Sequence, residues 1–226
     1  MALKDDLLDQ VKAIFRGRWD KRDGRVVPES ADLGLSNEAI ELDAAVLYAD
    51  MSESTALVDN YSATFAAEVY KAYLYCSAKI IRSEGGEITA YDGDRIMAVF
   101  IHNAKCTAAV RAALRINYAR LKIINPAIKD QYPKRDFTLR HAVGIDTSPL
   151  LVARTGIRGS NDLVWVGRAA NHAAKLCALP CEYSTRISKA VYGTVNDSGK
   201  YSNGTNMWES TSGDLNIYGS KYYWQL

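Results

Sequence analysis

The chain has 226 residues, 48% of them hydrophobic and 24% charged, with a formal net charge of +2. This length and composition suit one globular domain of mixed structure, or one domain with an arm. The small net charge gives no reason to expect binding to nucleic acid or membrane, and no run of about 18 apolar residues predicts a membrane span. Acidic residues close to the start, at Asp5 and Asp6, exclude a signal peptide.

The first fifth of the chain, residues 1–40, is predicted to be an amphipathic helix followed by a linker, and residues 41–226 the main domain. Leu7, Val11 and Ile14 share one face of this helix. A charged segment with two glycines follows, and then Pro28 and Gly34, which are typical of a linker. The helix could pack on its own domain or pair with its copy in a dimer, and the sequence leaves both open.

The four cysteines indicate a reducing, cytoplasmic location. They fall mostly on apolar faces of predicted helices, and the Cys177–Cys181 pair has no second pair at metal-binding spacing. We therefore expect plain thiols. The histidines His102, His141 and His172 are expected to be ordinary surface or core residues.

The main domain alternates between strand and helix patterns. In order, the patterns predict a strand at 44–50, a helix at 64–82, a β-hairpin at 85–100, a helix at 104–124 that stops near Asn125-Pro126, a strand at 137–145 broken at Pro149, short apolar strands at 150–153 and 163–166, a helix at 167–179, and a terminal β-hairpin that includes Tyr201 and Trp224. The order strand, helix, two strands, helix, strand predicts an α+β fold with a ferredoxin-like βαββαβ core.

Two of these strand patterns end on carboxylates. The first predicted strand ends at Asp50, and Asp92-Gly93-Asp94 forms the tip of the predicted hairpin, where Asp-Gly is a strong turn signal. Turn formation alone would explain an isolated Asp-Gly pair. In a βαββαβ sheet, however, the end of the first strand approaches the hairpin tip. Two carboxylates there predict a site for Mg²⁺ or Mn²⁺ beside a triphosphate, which supplies the remaining oxygen ligands.

Three segments, 46–55, 85–100 and 166–176, resemble in order and spacing the three motifs of class III nucleotidyl cyclases. Together they cover about residues 44–179. The resemblance implies the catalytic domain of such a cyclase, with the N-terminal helical arm and the C-terminal β-hairpin added to it. It also implies a head-to-tail homodimer with active sites at the interface, where one protomer binds the metals and the other supplies the third motif.

The resemblance implies a role for each matching residue. Asp50 and Asp94 resemble the two metal-binding aspartates for two Mn²⁺ or Mg²⁺ ions per site, and Met51 would offer its backbone carbonyl. Ser52, Glu53, Ser54 and Thr55 would lie under the phosphates, with Glu53-Ser54 in place of the usual Gly-Phe.

The third motif implies two catalytic residues. Asn171 matches the residue that orients the ribose, and Lys175 stands where the family usually has Arg and would stabilise the transferring phosphoryl group. A further phosphate contact could come from Arg140 or Arg154. With the metals activating the ribose 3′-hydroxyl and neutralising pyrophosphate, the product would be a 3′,5′-cyclic nucleotide.

The base-reading positions of purine-specific cyclases align with Ala90 and Val164, which are apolar. The hydrogen-bonding groups on the edge of a purine base would find no polar side chain at these two positions. Large side chains are present instead at Tyr48, Tyr91 and Arg95. A smaller pocket lined by them would favour a pyrimidine base over a purine.

Small cyclases of this kind resemble the pyrimidine cyclases of bacterial Pycsar anti-phage systems, whose cyclic product is sensed by a separate effector. We expect UTP as substrate, because a guanidinium such as that of Arg95 can donate to a uracil carbonyl. Cytidylate cyclase, stand-alone adenylate cyclase and an inactive cyclase-like nucleotide sensor remain alternatives.

Overall fold

The computed structural model describes residues 2–211 and 216–226. Its helices and strands, in chain order, are α1 (Leu3–Arg16), β1 (Asp20–Asp23), β2 (Glu38–Ser52), α2 (Ser54–Asn60), α3 (Ala63–Ser83), β3 (Glu87–Asp92), β4 (Arg95–Phe100), α4 (Lys105–Ala119), α5 (Asn125–Gln131), β5 (Arg140–Ile157), β6 (Ser160–Val166), α6 (Arg168–Cys177), β7 (Thr185–Ser188), α7 (Lys189–Thr194), α8 (Asp197–Lys200), β8 (Tyr201–Ser202), β9 (Thr205–Asn206), β10 (Glu209–Ser210) and β11 (Ile217–Ser220). A 3₁₀ turn covers Ser30–Asp32, and a π-helical turn covers Arg120–Ile124. Within the described ranges, no helix has both the length and the apolarity needed to cross a bilayer.

The chain divides into two compact units, residues 44–148 with 168–226 and residues 1–43 with 149–167. The larger unit contains the predicted core. Its strands follow the order β10-β11-β7-β5-β2-β4-β3, in which β2 and β4 are antiparallel neighbours and β3 lies at the edge. The order β5-β2-β4-β3, with α3 and α4 as the crossovers, is that of a βαββαβ sheet. The predicted fold class is confirmed.

One face of this sheet packs against the helices, as the strand patterns require. On β2, Leu47, Ala49 and Met51 are buried in the main core, because alternate side chains of a strand point to the same face. Helix α3 begins where Ser62 accepts a hydrogen bond from the backbone N–H of Phe65, and both its apolar side and that of α4 cover this face.

The second helix was predicted to stop near Asn125-Pro126, and this is wrong, because the helical path continues beyond the proline. A π-helical turn intervenes, in which the N–H of Asn125 donates to the carbonyl of Arg120, and the chain then continues as α5 to Gln131. Pro126 lies in the first turn of α5, where a missing N–H costs little. The extra residue of the π turn therefore allows the helical path to continue past the proline.

The predicted break at Pro149 is also wrong, since β5 runs from Arg140 to Ile157. Residues 143–145 of β5 pair with β7, and residues 151–157 pair with β6. Pro149 lies between these two paired segments. A strand tolerates proline where the ladder does not need its N–H.

In the smaller unit, part of the predicted linker is a strand. β1 pairs in parallel with residues 38–41 of β2. The helix α1 forms as predicted, and none of its residues is buried. The side-chain amide of Asn37 donates to the carbonyls of Ile14 and Gly17 at the end of this helix.

The terminal hairpin is present as β10 and β11, which pair antiparallel. Its connection, residues 212–215, lies outside the described residues, as does Met1 of the predicted arm. The aromatic residues at 222–224 follow β11 rather than extend it.

Helix α6 packs closely on β5 at Gly144. A Cβ atom at this position would lie 2.1 Å from the carbonyl oxygen of Ala173 and 2.7 Å from the backbone nitrogen of Cys177. Only glycine allows this approach. Gly144 thus sets the position of the helix that carries the third sequence motif.

Candidate active site

Asp50 lies near the C-terminal end of β2, a central strand of the sheet. Its side chain is 17% exposed. Burial raises the pKa of this carboxyl group, hydrogen bonding to Arg95 opposes that change, and the negative charge of Asp94 raises the pKa further. The two aspartates, 44 positions apart in the chain, therefore lie close enough in space to interact electrostatically.

Asp94 belongs to the turn between β3 and β4. Gly93 precedes it with φ +61°, a backbone conformation that glycine adopts without strain, so the predicted Asp-Gly turn is present. The Oδ2 atom of Asp94 is buried and has no hydrogen-bond donor among the described residues. A buried carboxylate oxygen without a partner is costly, which indicates that a cation or another donor belongs there.

Arg95 contacts Asp50 directly. Its Nη2 lies 2.8 Å and its Nε 3.2 Å from Oδ2 of Asp50, and the guanidinium side chain is 35% exposed. The positive charge of Arg95 therefore lies beside Asp50, the carboxylate that was predicted to bind a metal. The sequence predicted a nucleotide contact for Arg95 and did not indicate this ion pair.

A pocket of about 420 Å³ opens beside Asp50, Met51, Ser52 and Glu53. Arg140 also lines it, with Nη1 at 3.2 Å from a carboxylate oxygen of Glu53.

The other candidate for the phosphate contact has partners elsewhere. Arg154, in the smaller unit, donates to the side chain of Asn161 and to the carbonyl of Leu33. Of the two predicted arginines, the structure therefore brings Arg140 to this pocket.

The segment predicted to lie under the phosphates follows β2. Glu53 has φ +64°, a left-handed conformation unusual for a residue other than glycine, and α2 begins at Ser54. Glycine, which the sequence resemblance implies at this position, adopts that conformation without strain. Thr55 is exposed in the first turn of α2.

Two tyrosines predicted near the base point to opposite faces of the sheet. Tyr48 pairs with Met97, and Met97 with Ala90, so these three side chains share the face opposite α3 and α4. Burial raises the pKa of the Tyr48 hydroxyl. Tyr91 instead pairs with Ile96, which is buried in the core, and Tyr91 is 57% exposed. The structure does not bring Tyr91 together with Tyr48.

The two third-motif residues lie on the exposed side of α6. Ala169, Ala173 and Leu176 are buried, whereas Asn171 and Lys175 face outward, one turn apart. In the described chain, neither residue lines the pocket beside Asp50. A single protomer therefore does not bring all the predicted site residues together.

A buried carboxylate that the sequence reasoning missed holds α6 in place. The side chain of Asp146 is fully buried, and it accepts from Ser188 Oγ, lies 3.1 Å from Nδ1 of His172 and pairs with Nη1 of Arg168 at 3.0 Å. Asp146 follows an apolar run on β5, just as Asp50 follows one on β2. The same pattern could have identified it.

The residues near the turn fit a divalent ion. Asp94 offers an unpartnered buried oxygen and Asp50 offers a second carboxylate. Oxygen is the ligand that Mg²⁺ and Mn²⁺ prefer. No group of three or more His, Cys, Asp or Glu in the described ranges could hold a metal alone. The set therefore fits an ion that takes further ligands from a substrate.

Comparison with known proteins identifies the family. No family model matches the chain. Over 100% of both chains, it is 51% identical to a uridylate cyclase from Xanthomonas perforans and 52% identical to one from Burkholderia cepacia. The chain belongs to the uridylate cyclase family. A more distant member of this family, from Rhodovulum sp. (strain MB263), is 37% identical over 99% of this chain and 98% of its own length.

Solved structures agree on the fold of this uridylate cyclase family member. The adenylyl cyclase CyaB from P. aeruginosa superposes with a TM-score of 0.66 at 22% identity, covering 81% of this chain and 95% of that one. The guanylyl cyclase Cya2 gives a TM-score of 0.66 at 18% identity, covering 82% and 94%. The fold is that of a nucleotidyl cyclase catalytic domain.

Proposed function

We propose that this chain converts UTP into 3′,5′-cyclic UMP and pyrophosphate. The observation that carries this substrate is the identity of 51% and 52%, over the full length of both chains, to two proteins named uridylate cyclase. The positions of Asp50, Asp94 and Tyr48 support a nucleotide cyclase without selecting the base, because they combine a candidate cation site with an aromatic side chain on the same face of the sheet as Asp50.

Asp50 and Asp94, with the carbonyl of Met51, would hold the Mn²⁺ or Mg²⁺ ions. When bound, these ions lower the pKa of the ribose 3′-hydroxyl and neutralise the charge of the leaving pyrophosphate. Arg140 lines the pocket beside Asp50 and supplies a cation for the phosphates. Ser52 and Glu53 line the same pocket, and Ser54 and Thr55 follow them at the start of α2.

The third motif would act from a second copy of the chain. Asn171 and Lys175 are exposed on α6 and do not reach the pocket beside Asp50 within the described chain. A head-to-tail homodimer would place them over the nucleotide of the partner. Asn171 would then orient the ribose, and Lys175 would stabilise negative charge on the transferring phosphoryl group.

Tyr48 and Arg95 would contact the base, whereas Tyr91 would not. Tyr48 shares its face with Asp50, and Arg95 lies against Asp50 itself. The guanidinium offers only donors, which suits the carbonyl oxygens of uracil better than the amino group of cytosine. Ala90, on the same face as Tyr48, adds no group that could read a purine.

We propose that the cyclic product is a second messenger for anti-phage defence in the cytoplasm, sensed by a separate effector. The resemblance of the three motifs to pyrimidine cyclases of such systems supports this role. An effector gene beside this one, encoding a cyclic-nucleotide-binding domain, would agree with it.

The substrate can be tested by offering the purified protein ATP, GTP, CTP and UTP at equal concentration with Mn²⁺. Mass spectrometry of the products should show cyclic UMP in excess. Dominant cyclic AMP or cyclic CMP would overturn the choice of UTP without affecting the cyclase fold.

A second candidate, a cyclase-like domain that binds nucleotide without turning it over, is favoured by one observation. Arg95 places a positive charge 2.8 Å from Oδ2 of Asp50, at the carboxylate that a metal would need. Asp94→Asn separates the two functions, with Asp92→Asn as the matched control from the same turn. A cyclase should lose turnover only in Asp94→Asn; equal turnover in wild type and Asp94→Asn would remove the metal site from the proposal.

A further inference from the structure

Arg140 reaches the pocket beside Asp50 from the first position of β5, directly after an irregular segment. Residues 132–139 belong to no helix or strand. The side chain of Arg140 is 47% exposed, with Nη1 3.2 Å from a carboxylate oxygen of Glu53 and Nη2 3.2 Å from the carbonyl oxygen of Cys181. A long, half-exposed side chain retains much rotamer freedom, so the backbone that carries it decides where its guanidinium can lie.

A side-chain amide holds the backbone of the residue before Arg140. The N–H of Leu139 donates to Oδ1 of Asn125 at 2.8 Å, and the amide of Asn125 donates to the carbonyl of Leu139 at 3.1 Å. Nη1 of Arg120 lies 3.4 Å from the same carbonyl oxygen. Leu139 is fully buried, where an unpaired backbone group would be costly. Asn125 therefore satisfies both backbone groups of Leu139 and fixes the place at which β5 begins.

The π-helical turn places both of these partners of Leu139 on one side of the helix. Asn125 follows Arg120 by five positions, and in an α-helix two such residues would point about 140° apart. Here the N–H of Asn125 donates to the carbonyl of Arg120, so the two residues lie one above the other. Single π turns are frequent at functional sites. This one serves the start of β5 as well as the helical path past Pro126.

We propose that Asn125 is a positioning residue for the phosphates of the substrate. By fixing Leu139, it sets the direction in which Arg140 leaves β5. The inference rests on the phosphate contact proposed for Arg140 and extends it to a residue that, in the described chain, does not line the pocket. Without Asn125 the charge of Arg140 remains, but its guanidinium is no longer held where it meets the phosphates.

The affinity of the full-length protein for inorganic triphosphate in the presence of Mn²⁺, measured by titration calorimetry, tests this role. Inorganic triphosphate carries no base, so the result does not depend on UTP being the substrate. Arg140→Ala removes the cation and should weaken binding about tenfold. Asn125→Ala should weaken binding about fivefold on its own but less than about twofold in the Arg140→Ala background, because Asn125 acts through Arg140.

Asn206→Ala is the matched control, because it also removes one accepted and one donated side-chain hydrogen bond. Asn206 accepts from the N–H of Trp208 at 3.1 Å and donates to the hydroxyl of Tyr192 at 3.0 Å. This variant should bind triphosphate as the wild type does.

Asn125→Asp is a second variant for the case in which Asn125→Ala does not fold. It keeps the size of the side chain and the acceptor for the N–H of Leu139, and it loses only the donor to the carbonyl of Leu139. It should weaken binding about threefold, again only when Arg140 is present.

A general structural role for Asn125 predicts the same loss of affinity with and without Arg140. Equal losses in the two backgrounds, or full affinity in the Asn125 variants while Arg140→Ala binds weakly, would overturn the positioning role alone. Absence of triphosphate binding by the wild type, or unchanged affinity in Arg140→Ala, would instead remove the phosphate contact from the proposed function, and the positioning role with it.

Discussion

The buried histidine His141 should make the protein less stable in mild acid. Its side chain is 1% exposed, neither ring nitrogen has a hydrogen-bond partner among the described residues, and the ring lies 5.7 Å from that of Tyr73. Burial, together with a smaller contribution from the positive charge of Arg120, lowers the pKa of His141 to about 3. The folded state therefore keeps this imidazole neutral at every pH above about 3.

Proton binding by the unfolded chain makes the protein less stable as the pH falls. The unfolded chain takes up a proton at His141 below its ordinary pKa of 6.5, and the folded chain does not, so the free energy of unfolding falls as the pH falls below 6.5. Between pH 7 and pH 5 this one group should remove about 2 kcal/mol. Above pH 7 its contribution is constant.

Urea unfolding at pH 7 and pH 5 measures this loss. His141→Phe keeps an aromatic ring but cannot titrate, so it should lose about 2 kcal/mol less than the wild type over this interval. His102→Gln is the control, because His102 is exposed, and it should behave like the wild type. Equal losses in the wild type and in His141→Phe would refute the reasoning.

Three further changes test the site. Arg95→Gln removes the positive charge beside Asp50, so the affinity for Mn²⁺ without nucleotide, measured by electron paramagnetic resonance, should rise about fivefold. Unchanged affinity would show that the ion pair does not compete with the metal. Tyr48→Ala should lower kcat/KM for UTP about tenfold with a smaller effect on ATP, and equal effects on both would exclude a base contact. Gly144→Ala places a Cβ against the carbonyl of Ala173, so it should displace α6 and lower the free energy of unfolding, measured with urea, by about 1–3 kcal/mol. A variant as stable as the wild type would contradict that packing.

The sequence predicted the carboxylate positions but not the face of each neighbouring side chain. Asp50 follows an apolar run on β2, and Asp94 follows the Asp-Gly turn signal of the hairpin, so both carboxylates are visible in the sequence. The face of Tyr91 depends on a register shift between Ile88 and Ala90 in the β3–β4 ladder. A shift of one residue reverses every later side chain, and periodicity alone does not reveal it.

Other features depend on contacts between distant parts of the chain. The role of Asp146 requires Arg168, His172 and Ser188, which belong to elements that follow it by more than 20 positions. The ion pair of Arg95 with Asp50 likewise joins two strands that are separated by 45 positions. Such partners become apparent only when the sheet order is known.

Mixing two inactive variants tests most directly whether UTP is cyclised between Asp94 of one copy and Asn171 of the other. Asp94→Asn and Asn171→Ala should each lack cyclic UMP production. Co-expressed, they should recover about a quarter of wild-type activity, because half of the dimers are mixed and each mixed dimer has one intact site. Absence of any recovery, with mixed dimers demonstrated by affinity tags, would contradict an active site built from two copies around these residues.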